Sequence, residues 1–325
     1  MEFKKFKAAT VQTAPVFLNV EKTIDKAISF VQEAAANGAK LIAFPEVFVA
    51  GYPYWNWVMT PVQGSKWYEA LYKSSVTTED ADMVRLYQAA KDNNIHIVIG
   101  VNERGNSYGE IYNTNLIIDN NGKLIGRHRK LVPTWAEKLT WTSGDGSSLK
   151  VYDTEIGPIG TLACGENTNT LARFTLLSQG ELIHIANYIS LPVAPPDYNM
   201  AEAIKIRAAA HSFEGKLFTI VSCSTISKEI MDALRDDVPN IDELLTRKNS
   251  AFSGFIGPNG AVIGEPLIDD EGIVYADIDL EKCIQPKQMH DILGHYNRFD
   301  IFDLRVNVAP TRKITFIDNH EEFNK

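Results

Sequence analysis

The stretch 153–169 constrains this chain most, because it reads as a strand, a tight turn and a helix with a cysteine at the turn. A Gly-Pro turn signal at 157–158 precedes an apolar run, which predicts a short buried strand that ends at Cys164. Apolar residues recur at helical spacing after Asn169. This layout predicts a nucleophile elbow, in which backbone N–H groups and a helix N-terminus face the thiol. Free cysteines are often simply buried, so this stretch alone leaves a packing role equally open.

Composition and charge narrow the class of protein. Hydrophobic residues make up 45% of the 325 residues and charged residues 22%, which is typical of a soluble globular protein with a substantial core. A net charge of -9 without a cluster of Lys and Arg argues against a nucleic-acid partner. The three cysteines, at 164, 223 and 283, lack the spacing of a disulfide framework or a zinc site. With no secretory signal and no apolar run near ~18 residues, we expect a cytoplasmic protein without a membrane partner.

The alternation of strand-like and helix-like segments predicts a layered α/β protein. Two short apolar runs near the N-terminus flank a segment that Asn19 caps and that has one apolar helical face. The second run, 41–44, delivers Glu46 to its carboxyl end, where functional side chains gather in layered α/β folds. Turn sequences at 120–123 and 258–260 predict two hairpins, and with them two similar halves.

Three later segments complete the predicted organisation. Residues 200–215 are predicted to form a helix, and the charged, weakly periodic stretch 227–248 is predicted to be an exposed excursion. The residues after 310 are polar and read as a tail. We therefore expect a single domain over residues 1–310 and a short C-terminal tail over 311–325.

The stretch 48–67 is crowded with aromatic residues and is broken by Gly and Pro. Its Tyr52, Tyr54 and Trp55 follow no clean period, which is typical of a loop that forms the wall of a pocket. A subunit interface is the alternative role. Either role places this stretch beside a surface cleft.

A basic run at 127–130 leads into an apolar pair and a proline. Such a run usually marks a solvated strand edge. Its continuation instead predicts that Lys130 faces the interior, with Glu137 within reach as a charge partner. We expect structural roles for His128 and Arg129.

Glu46, Lys130 and Cys164 stand in the sequence contexts F-P-E-V-F-V-A-G-Y-P, H-R-K-L-V-P-T and A-C-G-E-N. With these motifs in this order, the chain resembles the nitrilase superfamily of carbon-nitrogen hydrolases over nearly its whole length. The W-T-S-G-D-G-S at 141–147 and the G-H-Y-N-R at 294–298 are similar to the nitrilase branch. The sequence departs from that branch at Gly165, where many nitrilases have Trp, and at Phe299, where Pro is frequent.

The resemblance implies a four-layer α-β-β-α sandwich whose subunits associate through their faces. It implies that Glu46, Lys130 and Cys164 are catalytic, and that Glu137, which matches the family's second glutamate, keeps Lys130 charged and oriented. The implied reaction is hydrolysis of an organic nitrile to the carboxylic acid and ammonia through a covalent cysteine thioimidate and thioester. Neither a metal nor an organic cofactor is implied.

The substrate pocket is expected to use aromatic walls and the space left by a missing side chain beside the nucleophile. The expected lining residues are Tyr52, Tyr54, Trp55, Trp135, Gly165 and Tyr188. Gly165 leaves empty the volume that an indole often fills in nitrilases, so we expect the room beside the thiol to be enlarged. For Glu166 and Asn167 we expect hydrogen bonds to the backbone of the elbow.

Two alternatives to a nitrilase remain. An amidase or carbamoylase of the same superfamily would use the same Glu, Lys and Cys on an amide. A catalytically silent binding member is an alternative of another class, which the presence of all three residues disfavours. The resemblance also implies a homo-oligomer, as a dimer or a larger, spiral assembly, and the helix 200–215 offers Ile204 and Ala208 on a face that a partner subunit could cover.

Overall fold

Two six-stranded sheets form the centre of the fold, and the computed structural model describes residues 3–193, 195, 197–312 and 314. The first sheet contains β1 (Lys5–Gln12), β2 (Ala39–Ala43), β3 (His96–Arg104), β4 (Ile111–Ile118), β5 (Leu124–Arg129) and β12 (Gly272–Asp279). The second contains β6 (Tyr152–Thr154), β7 (Gly157–Ala163), β8 (Ile183–Ile189), β9 (Phe218–Ser224), β10 (Phe252–Ile256) and β11 (Val262–Ile268). The spatial orders are β12-β1-β2-β3-β4-β5 and β11-β10-β9-β8-β7-β6.

Eight α-helices are described with the sheets: α1 (Val20–Ala36), α2 (Trp55–Val58), α3 (Ser65–Lys73), α4 (Ala81–Asp92), α5 (Thr170–Leu177), α6 (Met200–Gly215), α7 (Lys228–Leu234) and α8 (Ile241–Leu245). The Asn19 side chain accepts a hydrogen bond from the Lys22 backbone N–H at 3.0 Å and caps α1, as predicted. Within the described ranges, none of the helices combines the length and the apolar character that crossing a membrane requires.

The two halves of the chain repeat one pattern of strand pairing. β1, β2 and β3 are parallel neighbours, and β3, β4 and β5 continue as an antiparallel meander. β7, β8 and β9 are parallel in the same way, and β9, β10 and β11 are antiparallel. The turns predicted at 120–123 and 258–260 close the β4–β5 and β10–β11 hairpins. The prediction of two similar halves is confirmed.

Apolar clusters on the faces of the sheets define four layers. Ile24 of α1 packs against the outer face of the first sheet, together with residues of α4. Ile117 and Ile185 pack between the two sheets, and Ile204 and Ala208 of α6 cover the second sheet. The four-layer α-β-β-α sandwich is therefore confirmed.

This packing corrects the expectation that Ile204 and Ala208 face a partner subunit. Both side chains are buried within the chain itself, because α6 must cover the apolar face of β9 and β10. The apolar residues that α6 exposes are Ile206 and Phe213. A face for association through α6 would have to use the exposed pair.

Buried polar side chains join the two sheets. The Asn115 amide of β4 donates to Asn187 Oδ1 of β8 at 2.6 Å and to Thr161 Oγ1 of β7 at 2.8 Å. The Asn187 amide donates to the Phe44 carbonyl at 3.1 Å, and the Glu46 backbone N–H donates to the Tyr188 carbonyl at 3.3 Å. These bonds set how the ends of β2 and β8 lie against each other.

The segment 227–248, expected to be an exposed excursion, contains α7 and α8 and contributes to the core. Its buried apolar residues are Ile230, Leu234, Val238, Ile241 and Leu245. They lie on α7, on α8 and in the connection between them, at spacings of three and four that the many charged residues obscured in the sequence. They pack in one cluster with Tyr52, Tyr54 and Trp55. The aromatic stretch is therefore covered from within the chain.

The expected tail over 311–325 falls mostly on residues 313 and 315–325, which lie outside the described residues. The domain boundary at 310 stays a prediction.

Gly100 of β3 allows the segment that carries Glu46 to lie against the first sheet. The Gly100 N–H donates to the Pro45 carbonyl at 3.1 Å, and the Val49 N–H donates to the Gly100 carbonyl at 3.1 Å. A Cβ atom at position 100 would lie 2.5 Å from the Pro45 carbonyl oxygen and 2.3 Å from the Val47 nitrogen. Neither of these backbone atoms can move without moving Glu46.

We expect Gly100→Ala to lower the free energy of unfolding by about 1–3 kcal/mol, the usual effect of overpacking, and to lower kcat because Glu46 is displaced. Denaturant unfolding and steady-state kinetics would measure the two effects. Gly165→Ala is the control for stability, because its added Cβ would meet only Thr134 Oγ1, at 3.5 Å. Unchanged stability and kcat in Gly100→Ala would contradict this account of how Glu46 is positioned.

Candidate active site

Cys164 begins a tight turn at the carboxyl end of β7. The strand ends at Ala163, a 3-10 turn occupies Cys164–Thr168, and α5 begins after Asn169, whose side chain accepts from two backbone N–H groups of its first turn. Cys164 has a φ of 50°, a left-handed conformation that is costly for a residue with a Cβ atom. The predicted strand, turn and helix are confirmed, and the strained backbone at the cysteine is what a nucleophile elbow requires.

Lys130 lies between two buried carboxylates. Its Nζ donates to Glu46 Oε1 at 2.9 Å and to Glu137 Oε2 at 2.7 Å, and all three side chains are buried. Asn113 also donates to Glu46 Oε1, at 2.7 Å, whereas Glu46 Oε2 is buried and has no hydrogen-bond partner among the described residues. The inward-facing lysine and its pairing with Glu137 are confirmed. Glu46 keeps one oxygen available for a proton.

Every oxygen of Glu137 is occupied. Oε2 accepts from Lys130 and from the Thr134 backbone N–H at 2.7 Å, and Oε1 accepts from the Tyr52 hydroxyl at 2.9 Å. The 3-10 turn Trp135–Leu139 holds Glu137 in this place. A carboxylate whose two oxygens both accept hydrogen bonds is suited to orient Lys130 rather than to transfer protons itself.

The ionisation of these groups follows from burial and mutual charge. Burial would lower the pKa of Lys130, but the charges of Glu137 and Glu46 outweigh it and hold this pKa well above its ordinary value. Burial raises the pKa of Glu46, and the charge of Lys130 offsets only part of that rise. Lys130 therefore stays cationic, while Glu46 becomes a stronger proton acceptor than an exposed carboxylate.

The Cys164 thiol is not pre-ionised by its surroundings. Burial raises its pKa well above the ordinary value, and the negative charge of Glu46 adds to the rise, while Lys130 opposes it. The helix N-terminus that the sequence predicts after Cys164 favours a thiolate by its partial positive charge. The structure differs because burial outweighs that effect, so a base must remove the proton when the reaction begins.

Glu166 and Asn167 hydrogen-bond the backbone of the elbow, as predicted. Glu166 accepts from the backbone N–H groups of Ala163 at 3.0 Å and Leu131 at 2.8 Å, and also contacts His128 Nε2 at 2.8 Å. The Asn167 amide donates to the carbonyls of Leu162 at 3.1 Å and Cys164 at 3.0 Å. His128 is thus structural. The strained turn is held by buried side chains on both sides.

A second buried network behind the elbow was missed by the sequence reasoning. Asn167 Oδ1 lies 2.8 Å from His184 Nε2, His184 Nδ1 lies 2.7 Å from Glu181 Oε1, and His211 Nε2 lies 2.9 Å from Glu181 Oε2. Burial would raise the pKa of Glu181, but His184 and His211 hold it at about 2. The only signal was a Glu and a His three residues apart at the start of β8.

Glu181, His184 and His211 are residue types that can hold a metal ion, and their ligand atoms lie within 4.8 Å of one another. The atoms that face each other are already joined by hydrogen bonds, which is how a buried carboxylate between two imidazoles is normally stabilised. The arrangement connects α6 and β8 to the turn that carries Cys164.

The six residues expected to line the substrate pocket occupy different environments. Trp135 and Gly165 line a cleft of about 440 Å³, together with residues of the Cys164 turn. Trp135 is 76% exposed and adopts a φ of 45°. An added Cβ at Gly165 would meet only Thr134 at 3.5 Å, so the expected room beside the thiol is present.

The remaining aromatic residues are buried. Tyr52 contacts Glu137, and the Tyr54 hydroxyl donates to the Ser190 carbonyl at 3.0 Å. Tyr188 packs in the cluster that contains Cys164, and its hydroxyl has no partner in the part of the chain that the structure describes. Trp55 is different, because its ring lies 6.1 Å from that of Trp67 and 6.3 Å from that of Phe17, within the aromatic core. Tyr52 is thus bonded to the glutamate that pairs with Lys130, and Tyr188 packs with Cys164, whereas Trp55 packs against other aromatic rings.

Two comparisons with known proteins agree with this geometry. A family model described as carbon-nitrogen hydrolase matches residues 7–288, so the chain belongs to the carbon-nitrogen hydrolase family. The crystal structure of the C. elegans NitFhit protein shares the fold, with a TM-score of 0.74 and 17% identity over 96% of this chain and 70% of that chain.

Curated relatives are more similar in sequence. The chain is 36% identical to an aliphatic nitrilase of Rhodococcus rhodochrous over 95% of this chain and 84% of that protein. It is 38% identical to a nitrilase of Bacillus sp. (strain OxB-1) over 91% of this chain and 86% of that protein. The family predicted from the sequence motifs is confirmed.

We expect Lys130→Met to lower kcat by about 10²-fold or more, because one preorganised charge is lost at the reacting centre. Arg129→Met is the matched control, since the Arg129 guanidinium pairs with Glu103 at 2.7 Å rather than with the buried site. Steady-state kinetics on protein shown to be folded by circular dichroism would measure both. Equal losses in the two variants would mean that the run 127–130 acts only as a general basic patch.

The raised pKa of Glu46 predicts the acid limb of the pH profile. We expect Glu46 to accept the thiol proton as a general base, for which it must be deprotonated. The value of kcat/KM should therefore fall as pH decreases through the Glu46 pKa, with a midpoint above the ordinary value of 4.5. The profile should be measured over the range in which circular dichroism shows a folded protein. A midpoint at or below 4.5 would argue against Glu46 as the base.

Proposed function

We propose that this protein is a nitrilase that hydrolyses an organic nitrile to the carboxylic acid and ammonia, with Cys164 as nucleophile, Glu46 as general base and Lys130 as the cation that stabilises developing negative charge. The observation that carries the proposal is the Lys130 bridge between Glu46 and Glu137 beside a thiol at a nucleophile elbow. The sequence similarity to curated nitrilases supports the choice of a nitrile as substrate. Glu137 and Tyr52 orient Lys130.

The first half of the reaction forms a covalent intermediate. Glu46 accepts the Cys164 proton through its free oxygen Oε2, and the sulfur attacks the nitrile carbon. One C–N π bond breaks, negative charge develops on nitrogen, and Lys130 stabilises it. Glu46 returns the proton to that nitrogen, which gives a neutral thioimidate. The raised pKa of Glu46 brings its proton affinity closer to that of the thiol, which lowers the cost of the transfer.

The second half consumes two water molecules. Glu46 deprotonates the first water as it attacks the thioimidate carbon, and protonation of nitrogen lets ammonia leave with the C–N bond electrons, forming a thioester. The second water attacks the thioester carbon in the same manner, the carboxylic acid leaves, and the sulfur regains its proton. Lys130 and the backbone N–H of Gly165 face the oxygen that carries charge in these steps.

A nitrile panel tests the proposal. We expect the wild-type protein to release ammonia and carboxylic acid from aliphatic and aromatic nitriles, and Cys164→Ala to remain folded but release neither. Cys223→Ala is the matched control, because Cys223 is also buried in the cluster that α6 covers but lies on β9. Ammonia, acid and amide should all be quantified, with the corresponding amides assayed in parallel.

The outcomes separate the alternatives. Faster hydrolysis of the amides than of the nitriles would favour the amidase or carbamoylase activity over a nitrilase. No turnover of either class by a folded protein would favour the silent binding member. Activity that survives Cys164→Ala and is lost in Cys223→Ala at unchanged stability would show that the nucleophile is misassigned.

Self-association and a cytoplasmic location are part of the same proposal. Ile206 and Phe213 on α6 are both more than half exposed, and Leu171 on α5 is exposed as well. Apolar side chains placed in this way are suited to a contact between two copies of the chain, with a dimer as the smallest assembly.

A further inference from the structure

Arg207 of α6 reaches the cleft beside the nucleophile. Its Nε donates to Thr168 Oγ1 at 2.7 Å, in the turn that Cys164 begins, and its Nη2 donates to the Tyr198 hydroxyl at 3.1 Å. Its Nη1 is buried and has no hydrogen-bond partner among the described residues. A buried guanidinium nitrogen without a partner is costly, so a ligand group that accepts its hydrogen bond would be favoured there.

No carboxylate pairs with Arg207 within the described ranges. The cleft that it lines contains a second cation, Lys138, and one carboxylate, Glu166. Glu166 is already engaged by His128 and by two backbone N–H groups. The cleft is therefore positively charged although the chain as a whole has a net charge of -9, a local reversal that favours an anionic ligand.

The guanidinium lies close enough to the reactive centre to influence it. Burial raises the pKa of both Cys164 and Tyr188, and the charge of Arg207 opposes the rise in each. The Tyr188 hydroxyl is a second buried donor that has no partner among the residues the structure describes. Gly165, next to Cys164 in the chain, lines the cleft and contributes no side chain to it. Within the described part of the chain, two buried donors without partners therefore lie near Cys164: Tyr188 packs in the same cluster, and Arg207 is bonded to the turn that Cys164 begins.

We propose that Arg207, assisted by Tyr188, forms a carboxylate-binding subsite, and that the substrates are nitriles whose other end carries a carboxylate. This inference rests on the proposed nitrilase function and specifies its substrate class. A guanidinium is the side chain best suited to bind a carboxylate, since its planar donors match the two oxygens. The bonds to Thr168 and Tyr198 hold the group in place, so little ordering is needed when the substrate binds.

The test compares each cyano acid with its neutral methyl ester. For 3-cyanopropanoate and 4-cyanobutanoate we expect kcat/KM about 10- to 100-fold above that of the corresponding ester, the range for one charged hydrogen-bonded contact. Arg207→Gln should remove this preference by raising KM for the acid more than for the ester. Any effect through the Cys164 turn should fall equally on both substrates, so the ratio of the two kcat/KM values is the measurement. Arg207→Lys should restore part of the preference. Tyr188→Phe should reduce the preference for the acid, but by less than Arg207→Gln does.

Lys205→Gln is the matched control, because Lys205 lies on the same helix and pairs with Glu202 instead. It should keep the preference of the wild type. Glutarate, which resembles the product, should inhibit hydrolysis of a neutral nitrile competitively in the wild type and only weakly in Arg207→Gln.

Either of two results would overturn the subsite. The first is an equal kcat/KM for acid and ester in the wild type. The second is an equal loss for both substrates in Arg207→Gln, because the guanidinium would then act on the reacting group or on the fold. If neither acid nor ester releases ammonia, the nitrilase function fails instead. In that case calorimetry with glutarate tests the subsite independently of turnover. Glutarate binding to the wild type that is lost in Arg207→Gln supports the subsite, whereas no glutarate binding to the wild type rejects it.

Discussion

The alignment of the two sheets governs the candidate site, because neither sheet carries the reactive groups alone. Glu46 and Lys130 follow strands of the first sheet, and Cys164 follows a strand of the second. The buried side-chain amides of Asn115 and Asn187 are hydrogen-bonded to each other only when the two sheets are aligned in this one way. A slipped arrangement would leave them unpaired, at a cost of about 1–3 kcal/mol for each lost partner. The network that stabilises the centre of the sandwich therefore also sets how Glu46 and Cys164, the proposed base and nucleophile, lie relative to each other.

Lys130 connects the chemistry to the stability of the fold. Two carboxylates, Glu46 and Glu137, are buried side by side, which is unfavourable unless a cation lies between them. The group that is suited to stabilise a reacting nitrogen is thus also the group that allows the base to be buried. Burial in turn strengthens Glu46 as a base. These residues act as one unit, so the effects of altering them separately will not add.

The sequence predicted the features that depend on residues close to one another in the chain. The elbow at Cys164, the cap at Asn19 and the two hairpins depend on turn residues and short periods, and the structure has each of them. The network through Glu181 and His211 joins residues 30 positions apart, and its only local sign is the spacing of Glu181 and His184. The apolar face of α7 and α8 was hidden by the charged residues around it. The aromatic character of 48–67 was visible in the sequence, but composition alone does not show that Trp55 packs against Phe17 and Trp67.

The environment of Cys164 bears on how the protein would respond to oxidants. Peroxides and disulfides react with thiolates far faster than with thiols. A cysteine that is buried and kept protonated by a neighbouring carboxylate is therefore slow to form a sulfenic acid, although it is a capable nucleophile once its proton is accepted. Its reactivity therefore depends on proton transfer to Glu46 more than on the redox state of the surroundings.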